Sequence, residues 1–117
     1  MQLPKKNQTT MKTYQDIEAS ELYSLLETQQ IHLIDVRNDD EVVRGVIPGA
    51  TYITLSTIPS VNFSQLEKQT VVFYCHAGVR SAQAAAFVAD QIEASIYNLR
   101  GGVLAWANAG FGLTELK

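Results

Sequence analysis

The sequence contains a single cysteine, Cys75, and this scarcity sets the first limits on the protein. One thiol cannot form a disulfide within the chain, so the fold does not depend on an oxidising compartment, and we expect a cytoplasmic protein. Together with only two histidines, Cys75 does not provide the ligand set of a typical zinc site. We therefore predict no bound metal.

The chain also lacks a long apolar run and an excess of positive charge. No stretch approaches the roughly 18 apolar residues that span a membrane, and residues 1–11 are polar, which predicts a flexible leader rather than a secretory signal. The formal net charge is −3, so we predict neither a nucleic-acid partner nor a membrane partner. Hydrophobic residues make up 46% of the whole chain, which suits a single domain, and we assign this domain to residues 12–117.

Short β-branched segments alternate with helical patterns along this domain. We predict four strands, at residues 31–36, 51–55, 71–74 and 94–99. A first helix is predicted after a cap at Asp16 or Ser20, with Leu22, Leu25 and Leu26 on one face. A second helix is predicted to begin near Asn38, and three more are predicted near 63–67, 81–92 and 103–109. This alternation predicts an α/β domain with a mainly parallel sheet.

Cys75 follows directly on the continuous apolar run VVFY at residues 71–74, which is typical of a strand buried on both faces. Ligands of open α/β sheets bind beyond the carboxyl ends of the strands. The next residues contain Gly78 and Arg80 and lead into an alanine-rich helix. Such a loop can turn its backbone N–H groups inward, and both the helix N-terminus and Arg80 favour an anion. We therefore predict a lowered pKa for the Cys75 thiol.

Three stretches of the sequence together resemble the rhodanese family. The first is LIDVR at residues 33–37, followed by Glu41 and by GVIPGA at residues 45–50. The second is CHAGVRS at residues 75–81, and the third is YNLRGGVLAW at residues 97–106. The resemblance covers nearly the whole chain and implies an α/β domain whose five-stranded, mainly parallel sheet is flanked by helices on both faces.

The resemblance also implies a sulfurtransferase that needs no cofactor. Cys75 is its expected nucleophile, which takes sulfur from a small anionic donor such as thiosulfate and holds it as a persulfide. The expected acceptor is cyanide or a thiol, either of a small molecule or of a protein. The expected substrate-binding residues are those of the loop and the following turn: His76, Ala77, Gly78, Val79, Arg80 and Ser81. Because Cys75 is the only cysteine, the acceptor must come from outside the chain.

Two other functions are compatible with this pattern. A phosphatase or arsenate reductase of the related fold would have five residues between the cysteine and the arginine, whereas four separate Cys75 from Arg80. A rhodanese-like binding module without activity usually lacks the cysteine. Asp35 and Arg37 are supporting candidates: they either line the pocket or form a structural pair in which Arg37 reaches Glu41 or the 45–50 turn, and we favour the pair.

Overall fold

A sheet of five parallel strands forms the centre of the protein, of which the computed structural model describes residues 13–116. In chain order the strands are β1 (Gln15–Ile17), β2 (His32–Asp35), β3 (Thr51–Tyr52), β4 (Thr70–Tyr74) and β5 (Ser95–Leu99). Their order across the sheet is β1-β5-β4-β2-β3. The predicted parallel α/β architecture is confirmed, and the predicted leader over residues 1–11 lies outside the described residues.

Helices cover both faces of this sheet. The helices are α1 (Ala19–Thr28), α2 (Asp39–Val42), α3 (Val79–Ala89) and α4 (Gly102–Asn108), with 3₁₀ turns at Leu55–Ser60 and Ser64–Leu66. One apolar core lies between the sheet and α3 with the 3₁₀ turns, and a second core lies between the sheet and α1 with α4. None of the helices in the described part of the chain is long and apolar enough to cross a membrane.

Strand β4 lies in the middle of the sheet, between β5 and β2. Its residues Val71, Val72, Phe73 and Tyr74 are all 0% exposed. Burying an aliphatic or aromatic side chain of this size stabilises a fold by about 1.5–3 kcal/mol, so this strand is a major anchor of the domain. The residue that follows it, Cys75, is therefore held at a fixed point on the carboxyl edge of the sheet.

Helix α3 begins at Val79, two residues before the predicted start at Ser81. The N-cap residue Gly78 has φ 103°, a left-handed conformation that glycine adopts readily. This one residue completes the turn of the loop, so the helix begins at the next residue. Arg80 consequently lies in the first turn of the helix and not in the loop. Ala84 and Ala85 are fully buried, and their small side chains let α3 pack closely on the sheet.

Several other element boundaries differ from the prediction. The cap of α1 is neither Asp16 nor Ser20 but Glu18, which exchanges hydrogen bonds with the amide and carboxylate of Glu21. Strand β1 was not among the strands predicted from the pattern, because only one of its three residues is buried. Strand β3 ends at Tyr52, and the single helix expected near 63–67 is a short 3₁₀ turn.

Candidate active site

Cys75 lies at the carboxyl end of β4 and is 1% exposed. Three donors converge on its sulfur: the Gly78 amide at 3.2 Å, the Ser81 amide at 3.4 Å and the Ser81 hydroxyl at 3.3 Å. All three distances are within the range for hydrogen bonds to sulfur. The loop therefore surrounds the sulfur with N–H and O–H groups, which is the arrangement that stabilises a negative charge.

The outer side of the same loop is fixed by the start of α4. The Val103 amide donates to the Cys75 carbonyl at 2.8 Å, and the Leu104 amide donates to the His76 carbonyl at 3.2 Å. Because these carbonyls bond to α4, they point away from the sulfur and leave the loop's amides to face it. Gly102 makes this contact possible, since a Cβ at that position would lie 2.5 Å from the Cys75 carbonyl oxygen and closer still to the His76 carbonyl.

Two opposing influences act on the Cys75 thiol. Burial, the larger single influence, raises its pKa, whereas hydrogen bonds from the Ser81 hydroxyl and from the amides of Ser81, Gly78 and Ala77 lower it. The donors together prevail, and the pKa of Cys75 is lowered, the direction that the sequence predicted. A larger fraction of the thiolate, the reactive form of cysteine, is therefore present near neutral pH.

Arg80 makes its closest contacts with Glu41 of α2, not with the sulfur. Its two guanidinium nitrogens meet the two Glu41 oxygens at 2.7 and 2.8 Å, a bidentate pair. Hydrogen bonding to Arg80 lowers the pKa of the Glu41 carboxyl to about 2. The pair ties the first turn of α3 to α2, so Arg80 braces the loop in addition to placing positive charge near Cys75.

Asp35 and Arg37 form a buried ion pair beside the loop. The Arg37 side chain donates to both Asp35 carboxylate oxygens at 2.8–3.1 Å and to the Gly45 carbonyl at 2.7 Å. The guanidinium also lies 5.7 Å from the centre of the Tyr74 ring, whose hydroxyl accepts a bond from the Ile47 amide. These are the contacts of a structural pair that holds the 45–50 turn against the sheet.

The remaining loop residues face outward. The side chains of His76 and Ala77 are exposed, and Val79 is 69% exposed. No hydrogen bond of the His76 ring is found among residues 13–116, and the backbone contact of His76 is the bond that its carbonyl accepts from the Leu104 amide. Within the same range there is no cluster of three or more histidine, cysteine, aspartate or glutamate side chains suited to a metal.

Sequence reasoning missed two side chains behind the sulfur. The Ser81 hydroxyl lies 2.5 Å from Asn98 Oδ1, and Asn98 Nδ2 donates to Asp16 Oδ1 at 3.1 Å. Asn98 belongs to β5 and Asp16 to the adjacent strand β1, with which β5 pairs in register. A polar residue within the predicted strand 94–99 was the available signal, because a buried amide requires a partner.

The parallel sheet thus ends at a buried cysteine whose sulfur accepts hydrogen bonds from two amides and a hydroxyl. Comparison with known proteins identifies the family. Residues 18–109 match the model of the rhodanese-like domain, and the chain belongs to that family.

Relatives and solved structures show how far this likeness extends. A protein named sulfurtransferase from Allochromatium vinosum is 39% identical over 87 residues, which cover 74% of this chain and 80% of that protein. A rhodanese-like domain protein from Staphylococcus aureus superimposes with a TM-score of 0.70 at 33% identity, over 90% of this chain and all of the other. The human single-domain sulfurtransferase TSTD1 gives 0.71 at 28% identity, over 80% and 95% of the two chains.

Proposed function

We propose that the protein is a sulfurtransferase in which Cys75 carries sulfur as a persulfide. The observation that carries this proposal is the set of three donors at 3.2–3.4 Å from the Cys75 sulfur, on a side chain that no second cysteine can engage. The named sulfurtransferases among its relatives support the same reaction.

The first half of the reaction loads the cysteine. The Cys75 thiolate attacks the outer sulfur of a donor such as thiosulfate, a new S–S bond forms, and the S–S bond of the donor breaks. Its electron pair leaves with the remainder of the donor, which is sulfite when the donor is thiosulfate. The negative charge moves from Cys75 Sγ to the outer sulfur of the persulfide.

The second half unloads the sulfur. A nucleophilic acceptor, either cyanide or the thiolate of a small molecule or protein, attacks the outer sulfur. The persulfide bond breaks and returns its electron pair to Cys75 Sγ. The amides of Gly78 and Ser81 then hold the regenerated thiolate, so the same groups that favour attack also favour departure of the sulfur.

Intact-mass spectrometry tests the proposal directly. Wild-type protein incubated with thiosulfate should gain one sulfur, and subsequent cyanide should remove it as thiocyanate. Cys75→Ser should gain none, and Asp90→Asn, a substitution at the exposed end of α3, should behave as wild type. Hydrolysis of an aryl phosphate without any sulfur loading would instead identify a phosphatase. If neither thiosulfate nor a small-molecule persulfide loads the wild-type protein and no phosphatase activity is found, the chain is a binding module and the proposal is wrong.

A further inference from the structure

Behind Cys75, three polar side chains form a chain of hydrogen bonds, of which the reaction as proposed uses only the Ser81 hydroxyl. Ser81 is 0% exposed and Asn98 is 5% exposed, so water does not compete for their polar atoms. From the sulfur outward, the chain passes to Ser81 Oγ at 3.3 Å, to Asn98 Oδ1 at 2.5 Å and from Asn98 Nδ2 to Asp16 Oδ1 at 3.1 Å.

The orientation of the Asn98 amide follows from its partners. Its nitrogen faces the Asp16 carboxylate and, at 3.4 Å, the Gly78 carbonyl, and both of these groups only accept hydrogen bonds. The amide oxygen is therefore the atom that faces Ser81. Asp16 in turn is held by Arg100 at 3.5 Å, so the anchor of the amide is itself fixed.

The Ser81 hydroxyl consequently has two acceptors and one proton. Cys75 Sγ lies on one side of the oxygen and Asn98 Oδ1 on the other. A hydroxyl donates only one hydrogen bond at a time. Whichever acceptor receives the proton, the other is left without it in a site from which water is excluded.

We propose that Asn98, anchored by Asp16, is a positioning residue that competes with Cys75 Sγ for the single proton of the Ser81 hydroxyl. In the thiolate state the hydroxyl donates to Sγ. Once Sγ has formed a bond to the incoming sulfur, its negative charge is on the outer atom, and the hydroxyl turns to Asn98. Asn98 Oδ1 thus accepts the hydrogen bond of the Ser81 hydroxyl once Sγ no longer carries the negative charge. This inference rests on the proposed role of Cys75 as the nucleophile.

Charged groups on the elements packed around the loop contribute a general electrostatic field, and a test must separate that field from the competition for the proton. They are the Arg80–Glu41 pair from α3 and α2, the Asp35–Arg37 pair after β2, the exposed His76 in the loop, and Arg100 with Asp16 and Glu18 on the β5–β1 side. Substituting Asn98 changes none of these charges. An effect on the thiol that depends on Ser81 therefore reports the competition rather than the general electrostatic field.

The test is the pH dependence of Cys75 alkylation by iodoacetamide, which does not require sulfur transfer. Ser81→Ala should slow alkylation below the thiol pKa, because the thiolate loses a donor. Asn98→Ala should accelerate it about threefold, equivalent to half a pKa unit, because the hydroxyl is then free to serve the sulfur. In the double variant the acceleration should vanish, since no proton remains to compete for.

A second variant protects the test against misfolding at the buried Asn98. Asp16→Ala, at an exposed position, leaves the Gly78 carbonyl to orient the Asn98 amide alone, so the amide oxygen is held less firmly toward Ser81 and alkylation should accelerate in a Ser81-dependent manner. The charge lost with Asp16 acts on the thiol whether or not Ser81 is present, so the comparison with the Ser81→Ala background separates the two effects. Acceleration that persists equally in the Ser81→Ala background, or no acceleration in either variant, would overturn the proposal. Because the assay reads the thiol alone, failure here leaves the sulfur-loading experiment to decide the proposed function separately.

Discussion

Substituting alanine for Gly102 should separate the role of the loop from the stability of the domain. Gly102 adopts φ +61°, and a Cβ there would press on the carbonyls of Cys75 and His76 from the start of α4. Gly49 is a matched control: its φ is +91°, but a Cβ there would meet nothing within 4 Å. Both substitutions place an alanine in left-handed backbone, and only one of them displaces the loop.

The expected magnitudes follow from these two geometries. Left-handed backbone costs an alanine roughly 1–2 kcal/mol, which applies to both variants. Gly102→Ala should also weaken the bonds from the Val103 and Leu104 amides to the loop carbonyls, each worth about 0.5–1.5 kcal/mol. We therefore expect a loss of unfolding free energy of about 1–2 kcal/mol for Gly49→Ala and about 2–5 kcal/mol for Gly102→Ala.

Urea unfolding at equilibrium measures the stability, and alkylation of Cys75 by iodoacetamide under native conditions measures the site. Gly102→Ala should slow alkylation near neutral pH, because displaced carbonyls no longer hold the amides toward the sulfur. Gly49→Ala should alkylate at the wild-type rate. Equal stability losses in the two variants, together with unchanged alkylation in Gly102→Ala, would refute the argument that α4 shapes the loop.

Three further predictions concern packing and charge. Ala85→Leu, at a fully buried position of α3, should lose about 1–3 kcal/mol by overpacking in urea unfolding, whereas Ala86→Leu on the exposed side should change stability little. Glu41→Gln should lose about 1 kcal/mol above pH 4.5, because the ion pair with Arg80 is partly exposed. Since folding lowers the pKa of Glu41 to about 2, this difference from wild type should shrink as pH falls from 4.5 towards 2; a constant difference would contradict the ion-pair account. Arg37→Met should lose about 3–5 kcal/mol by leaving Asp35 buried and unpaired, and the added change Asp35→Leu should recover part of it.

The central elements of the fold were predictable because their residues carry a strong local pattern. The apolar run at residues 71–74 and the alanine-rich helix behind it indicate a buried strand and a closely packed helix without reference to the rest of the chain. Strand β1 has no such pattern, since two of its three residues are exposed, and it forms by pairing with β5, far along the sequence.

The site residues were also predictable only where they are neighbours in the sequence. Cys75 and its loop are contiguous in sequence, so their chemistry could be inferred from neighbours. Both a charge effect of Arg80 on the thiolate and a bracing contact with a carboxylate could be expected, but the identity of that carboxylate could not, because Glu41 lies 39 positions away and only the folded chain brings the two together. Asn98 was missed for the same reason. Its contact with Ser81 depends on the register between β4 and β5 and on how α3 packs on the sheet, which no local pattern reveals.

The burial of Cys75 has a consequence for which products a persulfide at this position can give. A thiolate that attacks the inner sulfur of a persulfide expels hydrosulfide and becomes trapped in a mixed disulfide with the protein. Attack on the outer sulfur instead transfers that atom and frees the enzyme. Because the Cys75 side chain is 1% exposed beneath its loop, an approaching acceptor meets the outer atom first. In the proposed reaction, the depth of Cys75 would therefore favour transfer of the outer sulfur over release of hydrogen sulfide.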